Sequence, residues 1–227
     1  MTDPLRLVIF DVDGTLIDSQ GQIVTSMEAA FAAEGLPTPA PEAVRNIIGL
    51  SLPVAMQTLA PDLAPERHAA LVAGYKQSFT IQLQNPGAKD HVRLFPGARA
   101  QVNRLNDQPD TLLGVATGKS RRGLDRVLQV HGWQGMFVTQ QVADHHPSKP
   151  HPSMVQTALA ETEVTAGNAV MVGDTTYDMQ MGRAGGVATI GVGWGYHEAA
   201  ALREAGADMV IDSFDALPDA LHAVWDK

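Results

Sequence analysis

The sequence predicts an α/β fold, in which a Rossmann-like parallel sheet is flanked by helices and carries an inserted, all-helical cap domain. Two observations support this prediction. Short apolar segments rich in β-branched residues alternate with helical patterns along most of the chain, and this alternation is typical of a parallel sheet wrapped by helices. One long stretch near the beginning of the chain breaks the alternation and contains helical patterns alone.

Six segments are predicted to be the strands of the sheet. They are residues 5–10, 111–116, 136–139, 169–172, 187–191 and 209–211. Helices are predicted between most of them. After the second strand, for example, Ser120 is placed to cap a helix with one apolar face, and Gly132 is placed to end it.

The stretch that breaks this rhythm begins after the first strand. Ile23, Met27, Ala30 and Phe31 recur there at helical spacing, and no strand is expected. Further helices are predicted at residues 41–48, 52–59 and 65–83.

This insert divides the predicted core in two. We predict a discontinuous core of residues 1–16 and 92–227 and a helical cap of residues 17–91. The connections at 18–22 and 85–93 are polar, and the second contains a proline and a glycine. Such connections favour hinge movement, so we expect the cap to act as a lid.

The composition restricts the classes of function. The formal net charge is −9, whereas nucleic-acid binding normally needs a basic surface, so no nucleic-acid partner is expected. The chain has no cysteine, which removes disulfides, thiolate metal sites and thiol nucleophiles. The early apolar run is too short for a signal or membrane-spanning segment. We therefore expect a cytoplasmic protein without a membrane partner, whose oligomeric state has no signature in the sequence.

Polar motifs follow predicted strands or stand in the loops before helices, where ligands bind in an open parallel sheet. They are DVDGT at residues 11–15, TGK at 117–119, SKPHP at 148–152 and GDTTYD at 173–178. The carboxylates of Asp11 and Asp13 repel each other at the end of the first strand. A cation or compensating chemistry is needed to keep them there.

Together these residues suit phosphoryl transfer. Magnesium prefers oxygen ligands and retains several waters, so Asp11, Asp174 and a backbone carbonyl would suffice to hold it. A carboxylate can also attack phosphorus and form an aspartyl-phosphate. The Thr117 hydroxyl, nearby backbone N–H groups and the Lys149 ammonium are suited to stabilise charge on the transferred oxygens.

Each motif taken singly has a simpler interpretation. A calcium loop is excluded, because Leu16 and Gln22 stand where that loop needs Gly and Glu. Residues 117–118 alone would be a turn at the start of a helix, Asp174 alone a helix cap, and Lys149 alone a solvated lysine. The joint occurrence of the motifs, in order along the chain, favours the catalytic interpretation.

The motifs resemble those of the haloacid dehalogenase superfamily of hydrolases, and most closely its phosphoglycolate-phosphatase-like branch, whose helical cap follows the first motif. FDVDGTLIDS has the pattern DxDGT, VATGKS the Ser/Thr motif, SKPHP the KPxP lysine motif and VGDTTYD the pattern GDxxxD. The resemblance covers essentially the whole chain. It implies a magnesium-dependent phosphatase that hydrolyses a small, phosphoglycolate-like phosphomonoester through an aspartyl-phosphate intermediate.

The resemblance also implies roles for individual residues. Asp11 is expected to be the nucleophile, and Asp13 the general acid and base. The Asp11 carboxylate, the Asp13 backbone carbonyl and Asp174 are expected to hold Mg²⁺, with Asp178 supporting the metal from behind its ligands. The phosphoryl group is expected to contact Thr117, Gly118 and Lys149.

Substrate selection is expected in the cap, at Asn46, Gly49 and Ser51. Gly49 interrupts a helical pattern there and leaves backbone groups free to face the cleft. The alternative is that Gly49 only ends one helix before the next begins at Leu52.

Other functions on the same core stay open. A sugar phosphomutase or a pyrophosphatase would use the same motifs. A dehalogenase would have no task for Asp13, because cleavage of a carbon–halogen bond needs no proton on the leaving group. A non-catalytic phospho-ligand-binding or receiver-like module would need neither Asp13 nor a cap.

Several further residues attract attention. His145, His146 and His151 surround Lys149, but their proline-rich loop favours solvated side chains over a transition-metal site. Trp194, Tyr196 and His197 follow the turn at residues 191–195 and are suited equally to the cleft and to half-buried packing. Lys119 is expected at the start of a helix, without contact to substrate.

Overall fold

The predicted strands form one parallel sheet. The computed structural model describes residues 4–84 and 92–226. The described strands are β1 (Arg6–Phe10), β2 (Ile17–Asp18), β3 (Arg93–Leu94), β4 (Thr111–Thr117), β5 (Phe137–Val142), β6 (Ala169–Gly173), β7 (Ala188–Val192) and β8 (Met209–Ile211). Six of them pair in the order β5-β4-β1-β6-β7-β8, and every pairing is parallel. The predicted fold class is confirmed, although β5 extends three residues beyond its predicted end.

Alternating side chains of the central strand β1 serve both faces of the sheet. Leu7 and Ile9 belong to the apolar cluster on one face, and Val8 and Phe10 belong to the cluster on the other. All four are fully buried, which explains why the segment reads as a continuous apolar run. Burial of such a side chain contributes about 1.5–3 kcal/mol to stability.

Four helices follow the first strand, as predicted. They are α1 (Gln20–Ala33), α2 (Pro41–Ile47), α3 (Leu52–Leu59) and α4 (Pro65–Gln84). Their apolar side chains form a cluster separate from the two clusters of the sheet, with Met27, Val44, Met56 and Leu71 almost wholly buried in it. A cluster of its own allows this group of helices to pack as a unit.

Within residues 4–84 and 92–226, six α-helices flank the sheet. They are α5 (Ala98–Asn106), α6 (Arg121–His131), α7 (Ser153–Thr162), α8 (Thr176–Ala184), α9 (Ala199–Glu204) and α10 (Leu217–Trp225). Helices α5, α6 and α10 contribute to the cluster on one face, and α7 and α8 to the cluster on the other. The Ser120 hydroxyl accepts a hydrogen bond from the N–H of Gly123 at the start of α6, and Gly132 ends that helix with φ +69°, so both predicted caps are confirmed.

One expectation about the insert was wrong. Ile17 and Asp18 form the short strand β2, which pairs with β3 in antiparallel fashion. Two residues are too few to show a period of two in the sequence. The first predicted hinge therefore consists of the end of β2 and the start of α1. Of the second predicted hinge, residues 85–91 lie outside the described residues.

The limits of the two predicted domains stay a prediction. Within residues 4–84 and 92–226, none of the helices combines the length and the apolar character needed to cross a membrane.

Candidate active site

The polar motifs meet where the strand order reverses. When β2 and β3 are left out, the strands of the sheet follow the order 3-2-1-4-5-6 along the chain. Ligands bind such sheets beyond the carboxyl ends of the strands at the reversal. Asp11 directly follows β1 and Asp174 directly follows β6, the strands on either side of that point. Both side chains are almost completely buried.

Lys149 connects two of the buried carboxylates. Its Nζ lies 2.9 Å from Oδ1 of Asp11 and 2.6 Å from Oδ1 of Asp178, and the lysine is 1% exposed. Burial alone lowers the pKa of Lys149, but the charges of Asp11 and Asp178 outweigh burial and raise the pKa above its ordinary value. Lys149 is therefore charged at neutral pH, and the interpretation as a solvated lysine is excluded.

Asp178 is held by a capping box at the start of α8. Its Oδ2 accepts hydrogen bonds from the N–H of Thr175 (3.0 Å) and from the Thr175 hydroxyl (2.7 Å). Its Oδ1 accepts from Lys149. Both carboxylate oxygens are thus engaged, which fixes Asp178 and, through it, the lysine.

Asp174 is fixed by a different set of donors. Its Oδ1 accepts a hydrogen bond from the Thr15 hydroxyl (3.0 Å), and its Oδ2 accepts from the backbone N–H of Tyr196 (2.9 Å). The backbone approaches this carboxylate closely at Gly14 and Gly195, where a Cβ atom would collide with Asp174. Gly14 also has φ +87°, which favours glycine. The helix cap at this point is Thr175 and not Asp174.

The carboxylates carry more negative charge than the lysine balances. Asp11, Asp174 and Asp178 each offer an oxygen, and the three oxygens lie within 4.8 Å of one another. Burial, together with the charges of Asp178 and Asp13, raises the pKa of Asp11 to about 7, although Lys149 opposes the shift. Burial and the charges of Asp178 and Asp11 raise the pKa of Asp174 well above its ordinary value.

This cluster fits a divalent cation. Oδ2 of Asp11 is buried and accepts no hydrogen bond from any described residue. The donor set is all oxygen, as hard cations prefer, and a bound cation would offset the excess charge. The expected ligand set of Asp11, Asp174 and the backbone carbonyl of Asp13 shares its two carboxylates with this cluster and stays a prediction.

Asp13 lies at the inner end of a cavity, where Lys119 and Ser19 hold it. Nζ of Lys119 lies 2.9 Å from Oδ1 of Asp13, and the Ser19 hydroxyl donates to the same oxygen. The Tyr196 hydroxyl in turn accepts a hydrogen bond from the N–H of Ser19 at 3.2 Å. The lysine ammonium also lies 5.4 Å from the ring centre of Phe79 on α4.

The expected role of Lys119 was therefore too limited. It stands at the start of a helix, but its side chain is 8% exposed and ion-paired with Asp13. Sequence reasoning missed Ser19, and it offered Tyr196 only as a residue suited equally to the cleft and to half-buried packing, without its contact to Ser19. The serine in FDVDGTLIDS and the lysine in TGK were visible in the quoted motifs, whereas Tyr196 reaches the site across 177 positions of sequence.

The cavity opens between the sheet and the cap helices. Its volume is about 1360 Å³, and its lining includes Asp11, Asp13, Thr117 and Gly118. Thr117 is fully buried and its hydroxyl accepts a hydrogen bond from the N–H of Lys119 (3.3 Å). Lys149, Asp174 and Asp178 lie behind this lining.

The loop between α2 and α3 is docked on the sheet side of the cavity. The N–H of Ser51 donates to the Ser148 hydroxyl (2.8 Å), and the Tyr177 hydroxyl donates to the carbonyl of Asn46 (2.9 Å). A Cβ on Gly118 would collide with the carbonyls of Gly49 and Leu50. The loop therefore lies against the second motif.

The three cap residues predicted to select substrate differ in position. Gly49 and Ser51 line the cavity, and Gly49 has φ +100°. Asn46 is exposed and does not line the cavity, whereas its neighbour Ile47 does. Gly49 thus follows the end of α2 and also lines the cleft, so both descriptions given for it above apply.

The histidines near Lys149 are not equivalent. His145 and His151 are exposed, but the ring of His146 is within hydrogen-bond distance of the Ser153 hydroxyl (2.8 Å) and of Oε1 of Gln141 (2.9 Å). His146 is therefore bonded within the fold and is only partly solvated. Trp194 donates to the carbonyl of Thr15 and packs against Phe214, so it has the half-buried packing role.

The family model described as "Haloacid dehalogenase-like hydrolase" matches residues 8–192. The chain belongs to this family. The predicted resemblance is confirmed, and with it the predicted class of enzyme, a hydrolase of the phosphatase type.

Relatives within the family cover almost the full chain. A protein of Dickeya dadantii named "Probable phosphatase IndB" is 37% identical, over 96% of this chain and 94% of its own length. The phosphoglycolate phosphatase of Vibrio vulnificus strain CMCP6 is 28% identical, over 96% of each chain. The crystal structure of a hydrolase from Pseudomonas syringae superposes with a TM-score of 0.84 at 23% identity, covering 96% of this chain and 98% of that one. This last likeness concerns the fold alone.

Proposed function

We propose that this enzyme hydrolyses small phosphomonoesters with Mg²⁺ as its cofactor, through an aspartyl-phosphate formed on Asp11. The observation that carries the proposal is the asymmetric surroundings of the Asp11 carboxylate. Oδ1 is paired with Lys149, whereas Oδ2 is buried without a hydrogen-bond donor among the described residues. A buried carboxylate oxygen without a donor is a poorly solvated nucleophile, which suits attack on phosphorus.

In the first step, an oxygen of Asp11 forms a bond to phosphorus, and the bond from phosphorus to the leaving oxygen breaks. Asp13 gives its proton to the leaving oxygen. Lys119 and Ser19 hold the carboxyl of Asp13 at the inner end of the cavity, where a leaving group would lie. Lys149 and Thr117 are placed to stabilise charge on the phosphoryl oxygens.

In the second step, Asp13 takes a proton from water, and the water oxygen attacks phosphorus. The bond between phosphorus and Asp11 breaks, and inorganic phosphate leaves. Bound Mg²⁺ would supply charge neutralisation for the phosphoryl oxygens. Asp178 would support the metal indirectly, because its own oxygens already accept from Lys149 and Thr175.

Phosphoglycolate is the first candidate substrate, because several relatives bear the name phosphoglycolate phosphatase. The test is a phosphate-release assay over glycolyl, sugar and nucleotide phosphates and pyrophosphate, in Mg²⁺ and in chelator. We expect release from monoesters in Mg²⁺ only. Turnover of pyrophosphate alone, or transfer between two hydroxyls of a sugar phosphate without release, would favour the pyrophosphatase or the mutase.

The matched variants are Asp11→Asn and Asp62→Asn, of which the second changes an exposed acid far from the motifs. We expect Asp11→Asn to lower turnover by roughly 10³-fold or more, since the nucleophile is lost, and to remove the acid-stable phosphoenzyme seen by mass spectrometry after rapid quenching. Asp62→Asn should keep both. Full turnover in folded Asp11→Asn protein, or in chelator, would contradict the mechanism.

A further inference from the structure

The cavity continues beyond the phosphoryl site, between α6 of the core and α4 of the cap. This outer part has three basic side chains in its lining, which we call the outer cations: Arg122, Arg126 and Lys76. None of their charged groups forms a hydrogen bond or an ion pair with another described residue. In a chain with a net charge of −9, three unpaired cations on one cavity are an unusual local excess.

The acids nearby do not neutralise them. Asp125 is paired with Arg121 at 3.3 Å, and that arginine also donates to the side chain of Gln140. Asp144 accepts a hydrogen bond from the backbone N–H of Arg121 (2.6 Å), at the start of α6. Both acids are thus engaged by residue 121, and the outer cations face the cavity without a partner.

The placement of the two arginines is itself unfavourable without a ligand. Residues four apart on a helix lie on the same side of it, and like charges there repel. Arg122 and Arg126 have this spacing on α6. An anion between them would replace the repulsion by two charge-assisted hydrogen bonds, in the planar geometry that guanidinium groups offer.

The outer cations extend along α6 away from the phosphoryl site. Thr117 and Gly118 precede α6, and Arg126 lies five positions beyond its first residue, which at 1.5 Å per residue is about 7.5 Å along the helix. An anionic group at the end of a longer organic body is therefore better suited to contact Arg126 than the carboxylate of a two-carbon acid. A ligand that reached both places would pass the stacked rings of Tyr75 and Phe79, whose centres lie 6.0 Å apart.

We propose that the outer cations form a second anion subsite, which selects phosphomonoesters with another anionic group at the far end of an extended organic body. This inference rests on the proposed function for the position of the first phosphate. Because Arg122 and Lys76 are exposed and Arg126 is only partly buried, the interaction is screened by salt, so the selectivity decreases as ionic strength rises.

The test compares two matched pairs of substrates. The long pair is 6-(phosphonooxy)hexanoate and 6-hydroxyhexyl phosphate, and the short pair is phosphoglycolate and 2-hydroxyethyl phosphate. We expect the carboxylate to raise kcat/KM by about tenfold in the long pair, as for a charge-assisted contact of moderate exposure. In the short pair, the carboxylate should give no comparable advantage.

The variant is Arg122→Gln/Arg126→Gln, and its control is Arg104→Gln/Arg203→Gln, which removes the same charge from exposed positions on α5 and α9. The first variant should abolish the advantage of the long carboxylate and leave 6-hydroxyhexyl phosphate within about twofold. The control should keep the advantage. Equal loss on both long substrates, or an advantage that survives the first variant, would overturn the proposal.

Binding separates this proposal from the catalytic one. Calorimetry of the two long substrates with Asp11→Asn protein needs no turnover. Tighter binding of the carboxylate, lost in the added arginine variant, would support the subsite even if no substrate were hydrolysed. Equal affinity for the two ligands would refute the subsite while leaving the phosphatase mechanism intact.

Discussion

The two walls of the cavity differ in how their polar groups are held. Directly behind the lining of the sheet wall, Asp178 and Asp174 each accept hydrogen bonds on both oxygens, and Lys149 is fixed between two carboxylates. On the outer wall, Arg122 and Arg126 are more exposed and make no such contacts with described residues. The chemical groups are therefore ordered before substrate arrives, whereas the outer cations depend on a ligand to order them.

Apart from loss of the nucleophile, the largest effect should come from Lys149, at the centre of the ordered wall. Lys149→Met leaves Asp11 and Asp178 buried without their cation, so we expect turnover to fall by roughly 10²-fold or more and stability to fall by about 3–5 kcal/mol. Alkyl and aryl phosphates should be affected alike. Asp13→Asn should affect alkyl phosphates far more than aryl phosphates, because only the poor leaving group needs a proton.

Steady-state kinetics on both classes of substrate, with urea unfolding, measure these effects. Asp13→Asn leaves Lys119 without its ion-pair partner, whereas Lys149→Met leaves two buried carboxylates without their cation, so Asp13→Asn should lower the unfolding free energy by less than Lys149→Met does. Equal losses on alkyl and aryl substrates by Asp13→Asn, with binding unchanged, would remove Asp13 from the acid role.

Lys119 connects the core with the cap. Its ammonium is paired with Asp13 of the core and lies over the ring of Phe79 on α4 of the cap. Lys119→Met should release the Asp13 carboxyl and lower kcat for alkyl phosphates by about tenfold, with a smaller effect on aryl phosphates. Lys119→Arg keeps the charge and should recover part of the loss. If Lys119→Met changed KM alone, the lysine would act on substrate binding and not on the position of Asp13.

Lower pH should weaken the binding of Mg²⁺. Because the pKa of Asp11 is raised to about 7, the folded protein without metal keeps a proton on this carboxyl up to about that pH. The unfolded chain loses the same proton in the ordinary carboxyl range. The stability of the metal-free protein therefore falls as the pH rises from that range through about 7. Mg²⁺ needs the ionised carboxylate and offsets that loss. The increase in Tm caused by Mg²⁺ should thus be larger at about pH 8 than at about pH 5.5. An Asp11→Asn protein with the same difference between the two pH values would show that another group is responsible.

The smallest effect should come from the bonds that dock the cap loop. Tyr177→Phe with Ser148→Ala removes the donor to the Asn46 carbonyl and the acceptor for the Ser51 N–H. At about 0.5 kcal/mol for each of the two bonds, kcat/KM should change by about fivefold. Asn46→Ala is the control, because only its backbone takes part, and it should have no effect. A change in substrate rank by Asn46→Ala would restore a role for that side chain.

Patterns in the sequence were sufficient for the features that depend on local chemistry. The six core strands, the four cap helices and the caps at Ser120 and Gly132 follow from periodicity and from the preferences of helix ends. The meeting of Asp11 with Asp174 followed from the rule that parallel strands end at one edge.

The contacts that patterns could not supply join residues far apart in the chain. Lys119 stands 106 positions after Asp13, and nothing in TGK says that its side chain turns inward. Tyr196 reaches Ser19 from a loop after β7. The pairing of β2 with β3 spans the whole cap and involves two residues on each side. Such contacts depend on the completed fold and leave no periodic trace.

The β2–β3 pair marks the place where the cap could be replaced by protein engineering. The predicted cap lies between Ile17–Asp18 and Arg93–Leu94, which pair with each other, and paired strands lie about 5 Å apart. In topological terms the cap is the loop of a β-hairpin, enlarged without change to the strands that close it, and the entropy of loop closure grows only slowly with such enlargement. The pair is therefore a natural graft point, where a tight turn or a foreign lid with similarly spaced ends would preserve the register of the hairpin.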